Sequence, residues 1–240
     1  MSMTKKLVGA LAAAATAVLI TGCQIDTTTP MMVSQIRAVA DTGGPSSVMT
    51  KVTAVFATKD WCQDEGAMAA EVLAKIKFLI QPLGCSNSQP SNGQFHIPIT
   101  VVRTQGGSDP TAVVAQTLGS DAVKFAVFPH GKRKDLISVG LFINIATLQN
   151  AKETLVQMPV YKQGLYKGEV GYSFTVPITN DTATPATFVL SDVEAGGDAP
   201  ADEAVLTIPP GGSDIITLDS DKQAKLAQLG WVNFFALKAK

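Results

Sequence analysis

The chain has 240 residues, and its 19 lysines and arginines against 20 aspartates and glutamates give a formal net charge of −1. This near-neutral balance excludes a strongly basic surface and argues against nucleic-acid binding. Charged residues make up only 16% of the chain, so uncharged polar side chains must cover much of the surface, which suits a protein outside the cytoplasm. The length fits two domains of about 100 residues each.

The chain begins with a short basic segment that contains Lys5 and Lys6, followed by 14 small and apolar residues from Leu7 to Ile20. As a helix this apolar run is about 21 Å long, which is short for a membrane-spanning helix of about 20 residues. A basic start, a short apolar core and small residues at its exit are typical of a secretory signal peptide. We place this signal at residues 1–22.

The exit of the signal, Leu19-Ile20-Thr21-Gly22-Cys23, resembles the lipobox of bacterial lipoproteins. The resemblance implies that cleavage follows Gly22, that the Cys23 sulfur receives a diacylglyceryl group and that the new amino terminus is acylated, so that a lipid bilayer is the partner of this end. Gln24 in place of an aspartate favours the outer membrane by the same analogy. The alternative is an ordinary signal peptide with a chance cysteine near the cut. Residues 23–30 are then the lipidated cysteine and a polar tether, which reaches at most about 25 Å.

Residues 31–160 are predicted to form an α+β domain. The segment 33–40 is ambiguous between helix and strand, the alternating apolar residues of 51–58 predict a strand, and helical spacing from Met68 to Ile80 predicts a helix. Further predicted elements are strands at 95–103, 122–128 and 136–145 and helices at 109–118 and 147–156. The strands at 122–128 and 136–145 are predicted to pair as a hairpin. This order favours a small mixed sheet with helices on one face.

Residues 161–240 are predicted to form a second, β-rich domain. Predicted elements are short strands at 169–178, 186–193, 204–208, 213–218 and 231–237 and a helix at 221–229. Turn-forming clusters such as 209–212 separate them. The spacing favours a small antiparallel, sandwich-like domain.

Cys62 and Cys85 are the two cysteines that remain besides Cys23. In an oxidising compartment such a pair usually forms a disulfide. However, a straight helix over 63–81 would hold its ends about 28 Å apart, whereas a disulfide needs Cα atoms within about 7 Å. We therefore predict the bond on the condition that the helix starts late, near Gly66 or Met68, and that its flanking segments fold back along it. Two separate buried thiols are the alternative.

No metal or cofactor is predicted, because His96 and His130 lie far apart and no His-x-x-x-His or Cys-x-x-Cys spacing occurs. Asp60, Asp64 and Glu65 cluster beside a tryptophan, and a carboxylate pair of this kind is typical of glycan hydrolases. Acidic residues are also the ordinary composition of a helix start, where they favour the helix dipole. We expect no catalytic site and no enzymatic activity.

The most concentrated charge is the run Lys132-Arg133-Lys134, in the turn between two predicted strands. At a hairpin tip these residues are predicted to contact an anionic surface, such as lipid headgroups, lipopolysaccharide phosphates or an acidic envelope protein. A solvated turn without a partner is the plain alternative.

A fainter resemblance covers most of the mature chain. The order of a tether, the segment 33–39, a strand, Cys62, a helix and Gly84-Cys85 is similar to that of uncharacterised small lipoproteins of tailed phages and prophages. This resemblance implies no catalytic residues and suggests a lipoprotein that masks or modifies a surface receptor, which is superinfection exclusion. Our leading hypothesis is a membrane-anchored envelope lipoprotein that acts as a non-enzymatic binding or structural module. An envelope hydrolase acting on glycan or peptide is a further alternative.

Overall fold

A computed structural model describes most of the chain from residue 24 onward. The described residues are 24–56, 59–75, 80–88, 91–104, 110–119, 121–130, 133–147, 171–190 and 204–239. The predicted signal peptide, residues 1–22, and the predicted lipidation site, Cys23, lie outside them.

The described residues form mainly strands. The strands are β1 (Gln24–Thr28), β2 (Met31–Met32), β3 (Ser46–Phe56), β4 (Gln81–Cys85), β5 (Ser91–Arg103), β6 (Val123–Pro129), β7 (Leu136–Ile143), β8 (Gly171–Thr179), β9 (Ala186–Val189), β10 (Val205–Ile208), β11 (Ser213–Thr217) and β12 (Trp231–Lys238). The main helices are α1 (Val33–Thr42), α2 (Lys59–Lys75), α3 (Pro110–Leu118) and α4 (Ser220–Leu229). The sequence predicts most of these elements close to their observed positions, but it does not predict β1, β2 or β4. The predicted helix at 147–156 lies almost wholly outside the described residues.

All twelve strands belong to one mixed sheet. The hydrogen-bonded order is β10-β9-β12-β7-β6-β5-β3-β1-β8-β11, with β2 added to β8 and β4 added to β5. The predicted hairpin of β6 and β7 is confirmed by their antiparallel pairing. The predicted fold class is wrong, because the described strands form one large mixed sheet and not a small sheet with helices on one face followed by a separate sandwich-like sheet. Strands from both sides of residue 160 alternate instead: β1 lies between β3 and β8, and β12 lies between β7 and β9.

The two ends of the sheet meet at a pair of bends. β10 and β11 are the outermost strands of the order, yet only the turn 209–212 separates them in sequence. The bend between β8 and β9 lies against this turn, because the Asn180 backbone N–H donates to the Gly212 carbonyl at 2.9 Å and the Gly211 N–H donates to the Asn180 carbonyl at 2.7 Å. The sheet must therefore curl, so that its first and last strands approach each other.

The sheet is buried on both faces over part of its width. The larger core contains the inward residues of the sheet together with buried residues of α1 and α4, such as Ile36 and Leu226. A smaller core on the opposite face contains Leu118 of α3 with Phe128 and Phe142. Coverage on both faces explains why β6 and β7 consist of nearly continuous apolar residues rather than alternating ones.

Helix α1 receives its amino-terminal cap from a distant turn. Its own N-cap residue, Met32, makes no side-chain capping hydrogen bond. The Asp181 carboxylate, in the bend after β8, instead accepts hydrogen bonds from the Ser34 N–H, at 2.9 Å, and from the Ser34 hydroxyl. A carboxylate at this end also favours the helix dipole, so the contact fastens α1 to the bend that closes the sheet.

Candidate functional site

Among the described residues, the sheet begins with Gln24, the residue after the predicted lipid-bearing cysteine. Gln24 is the first residue of β1 and pairs with Gly171 of β8. Asp26 accepts a hydrogen bond from the Ser173 hydroxyl at 2.6 Å, and the Thr27 hydroxyl donates to the Ser173 carbonyl at 2.7 Å. Residues 24–28, which the sequence assigns to a polar tether, are therefore a strand inside the sheet.

The polar composition of β1 and of the residue that follows it is compatible with a position inside the sheet, because their threonine hydroxyl groups form hydrogen bonds within the protein. Thr27 and Thr29 are buried, and the Thr29 and Thr50 hydroxyls are hydrogen-bonded at 2.9 Å. Threonine is β-branched and favours strands, and its hydroxyl makes burial acceptable when it has a partner. Sequence polarity alone could not distinguish this strand from a tether.

A disulfide joins Cys62 to Cys85, as predicted, with the two Cα atoms 6.0 Å apart. The predicted late start of the helix is wrong, because α2 begins at Lys59 and Cys62 lies inside it. The bond forms because β4 runs back beside α2 and ends at Cys85. Thus the folding back of the flanking segment, which the sequence argument required, is what brings the sulfurs together.

The disulfide lies at the same end of the sheet as the start of β1. Cys85 pairs with Gly93 of β5, Gly93 pairs with Ala54 of β3, and Ala54 pairs with Ile25 of β1. Because paired residues lie side by side across a sheet, the Cys85 backbone is level with the second residue of β1. We call this end, defined by Gln24, Ile25 and Cys85, the anchor end.

Lys238, in the last strand β12, lies next to the predicted basic turn. Lys132 lies outside the described residues, while Arg133 and Lys134 are in the turn between β6 and β7. β12 pairs with β7 so that Lys238 is opposite the first residue of β7, and the Ala239 N–H donates to the Asp135 carbonyl at 2.7 Å. We call Arg133, Lys134 and Lys238 the basic tip. No sequence pattern connects Lys238 with the turn, since only strand pairing brings them together.

Asp135 forms an ion pair with Arg133 in the basic tip. The Arg133 guanidinium donates from Nε and Nη2 to the two Asp135 carboxylate oxygens, each at 3.0 Å. This side-chain hydrogen bond lowers the pKa of Asp135 below its ordinary value, and the charges of Arg133 and Lys238 act in the same direction. Lys134 and Lys238 are both exposed, so their ammonium groups face solvent beside this ion pair.

The basic tip and the anchor end lie at opposite ends of the strands. Ile25 is level with Gly93 of β5 through Ala54, whereas Val127 of β6 is level with Arg103 of β5. The ten steps along β5 from residue 93 to residue 103 span about 33 Å, at about 3.3 Å per residue. β6 runs parallel to β5, so the basic tip lies farther still from the anchor end.

The two histidines have different surroundings. His130, predicted to begin a turn, follows β6 and is buried, and its Nδ1 is hydrogen-bonded to the buried Ser138 hydroxyl at 2.8 Å. His96 lies on β5, paired with Lys51 and partly exposed. Among the described residues, no group of three or more histidine, cysteine, aspartate or glutamate side chains is arranged to hold a metal ion.

Two of the three carboxylates considered for hydrolysis, those of Asp60 and Asp64, lie on the surface of α2. Asp60 and Asp64 are both exposed, and the Glu65 side chain lies outside what the structure describes. An acid catalyst of a glycosidase normally needs burial to raise its pKa, and the surface of α2 does not provide burial to Asp60 or Asp64. The structure therefore gives the hydrolase alternative no support from these two residues.

Comparisons with protein-family models, with curated proteins and with solved structures find no match. Within the described ranges, no helix combines the length and the apolar character that crossing a bilayer requires.

Proposed function

We propose that the chain is a bacterial envelope lipoprotein, held in a bilayer by acyl chains on Cys23, and that its folded part acts as a non-enzymatic binding or structural module. The observation that carries the proposal is the position of the lipobox-like sequence Leu19-Ile20-Thr21-Gly22-Cys23, which ends one residue before β1 begins at Gln24. The cleavage that the motif implies would remove none of the described residues and would leave the acylated residue next to Gln24.

The chemistry of the anchor supports stable attachment. Each buried CH₂ of an acyl chain contributes about 0.8 kcal/mol, and two chains are sufficient for stable membrane binding. The disulfide between Cys62 and Cys85 supports an oxidising compartment outside the cytoplasm. Gln24 after the cysteine favours the outer membrane in this proposal.

The non-enzymatic part of the proposal is supported by how buried polar groups are used. The buried Lys222 Nζ donates to the carbonyls of Leu190 and Phe234, at 2.7 and 3.3 Å, and the buried Asn180 and Ser138 are also hydrogen-bonded within the fold. Each of these groups stabilises a connection between elements, as expected for a module whose interior serves structure.

The test is expression of the full chain in a host that matures lipoproteins. The matched control carries Cys23→Ser behind an ordinary secretory signal peptide in place of residues 1–22, so that it is cleaved without being lipidated. We expect the native protein to sediment with membranes, and mass spectrometry of its amino terminus to show a triacylated cysteine at position 23. The control is expected to be released from membranes with the fold unchanged. An unmodified, freely soluble native protein in this host would contradict the proposal.

A further inference from the structure

We propose that the basic tip binds an anionic polymer located away from the membrane surface. In this proposal the tip does not bind the lipid headgroups of the bilayer that holds Cys23. The inference rests on the proposed anchor at Cys23. It concerns the partner of Arg133, Lys134 and Lys238, which the sequence argument left open among lipid headgroups, lipopolysaccharide and acidic protein.

The first step is the distance between the tip and the anchor. The anchor end and Val127 are separated by about 33 Å along the strands, and the tip lies beyond Val127. The Debye length at physiological ionic strength is about 8 Å, so the tip is about four Debye lengths from the membrane surface when the strands stand upright. With the strands tilted by about 40°, the separation is still about 25 Å. The attraction of basic residues to an anionic bilayer falls off within about one Debye length.

The second step is the rigidity of the path from the anchor to the tip. β1 is paired with β3, β3 with β5 over the full length of β3, β5 with β6, and β6 with β7. Every connection on this path is a hydrogen-bonded ladder within one sheet, and the strand starts at Gln24, one residue after the acylated cysteine. The tip therefore reaches the bilayer only if the whole body lies flat on it.

The third step is the chemistry of the tip. Arg133 is held by Asp135, whereas Lys134 and Lys238 present exposed ammonium groups on two neighbouring segments of chain. Ammonium groups are compact, hydrated charges without the rigid geometry of a guanidinium. Such a pair is better suited to bind the repeated carboxylate or phosphate groups of a polymer than to bind a single ligand of fixed geometry.

The experiment uses lipidated protein reconstituted in phosphatidylcholine vesicles, with labelled polyglutamate and polyphosphate as probes. Lys134→Gln and Lys238→Gln are expected to weaken polymer binding by about fivefold each, the effect of one cation at an anionic surface, and added salt should reduce these differences. Lys59→Gln is the matched control, because Lys59 is an exposed lysine near the anchor end, and it should bind like the native protein. The probe that binds more tightly identifies the anionic group.

Two further experiments distinguish the proposal from binding of the tip to its own bilayer, and distinguish failure of the tip from failure of the proposed anchor. Adding phosphatidylglycerol to the vesicles is expected to leave polymer binding at the tip unchanged. Loss of polymer binding on these vesicles, restored by returning to phosphatidylcholine, would mean that the tip lies on its own bilayer and would overturn the inference. The soluble Cys23→Ser variant should still bind polymer with the same dependence on Lys134 and Lys238, so failure of the anchor is distinguishable from failure at the tip. Equal polymer binding by the native, Lys134→Gln and Lys238→Gln proteins would also overturn the inference.

Discussion

Replacing Asn180 by alanine tests how the sheet is held in its curled form. Asn180 is fully buried in the bend between β8 and β9. Its Nδ2 donates to the carbonyls of Thr184 and Ile208, each at 2.9 Å, and its Oδ1 accepts from the N–H and the hydroxyl of Thr182, at 3.1 and 2.7 Å. One side chain thus joins the bend after β8 to the end of β10, the outermost strand of the order.

The expected loss of stability follows from these contacts. Ile208 is buried, so its carbonyl would lose this side-chain donor at a cost of about 1–3 kcal/mol. The bonds to Thr182 and Thr184 lie nearer the surface, where water replaces them in part, and contribute about 0.5–1 kcal/mol each. The sum is about 4 kcal/mol, which for a chain of this size lowers the unfolding temperature by about 8–16 °C.

Thermal unfolding followed by circular dichroism, with the disulfide intact, measures this loss. Asn180→Asp keeps the acceptor but places a buried carboxylate oxygen against the carbonyls of Thr184 and Ile208, so we expect a loss at least as large as that of the alanine variant. Asn92→Ala is the matched control, because Asn92 is exposed on β5 and its truncation should change stability by no more than about 0.5 kcal/mol. An Asn180→Ala protein that unfolds at the native temperature would refute the view that this side chain holds the bend.

Three other changes test separate contacts. Burial raises the pKa of Asp181, but its hydrogen bonds with Ser34 outweigh this effect, so that the net pKa is lowered. The cap that Asp181 forms on α1 should therefore stabilise the fold by about 1 kcal/mol above about pH 4. Urea titrations at several pH values should show that the effect of Asp181→Ala fades as the pH falls through the lowered pKa. Replacing both Cys62 and Cys85 by alanine should remove about 3 kcal/mol, and a reductant should lower the unfolding temperature of the native protein but not of this variant. A Cβ at Gly140 would lie 2.9 Å from the Phe142 ring, so Gly140→Ala should cost about 1–3 kcal/mol in denaturant unfolding; an unchanged midpoint would show that the ring moves aside freely.

Local patterns predicted individual elements well, for reasons that the structure makes clear. The helix α4, expected at 221–229 and found at Ser220–Leu229, has both of its boundary signals in the sequence. Asp219 caps it by accepting from the Lys222 N–H at 2.8 Å, and Gly230 ends it in the left-handed conformation. Strand β5 alternates between buried residues and partly or fully exposed ones from residue 91 to residue 102, which is the pattern that a strand with one buried side produces.

The position of the basic tip shows what such patterns cannot provide. The charged run at 132–134 is evident in the sequence, but its distance from the anchor end depends on the registers of four strand pairs. Lys238 joins the tip only through the pairing of β12 with β7. Similarly, the cap of α1 comes from Asp181, 147 residues away from Ser34, and no local signal indicates it.

The sequence by itself determined the chemistry that depends on neighbouring residues: the signal-like amino terminus, the lipobox resemblance, the cysteine pair and most helices and strands. Only the tertiary structure decided that a presumed tether is a strand, that the strands of the two predicted β-containing regions form one sheet, and that the basic tip lies at the other end of the strands from the anchor end. The physical reason is that helix periodicity and capping act within a few residues, whereas strand pairing uses the same backbone hydrogen bonds at every position. Which strands pair is therefore set by the burial of the whole chain.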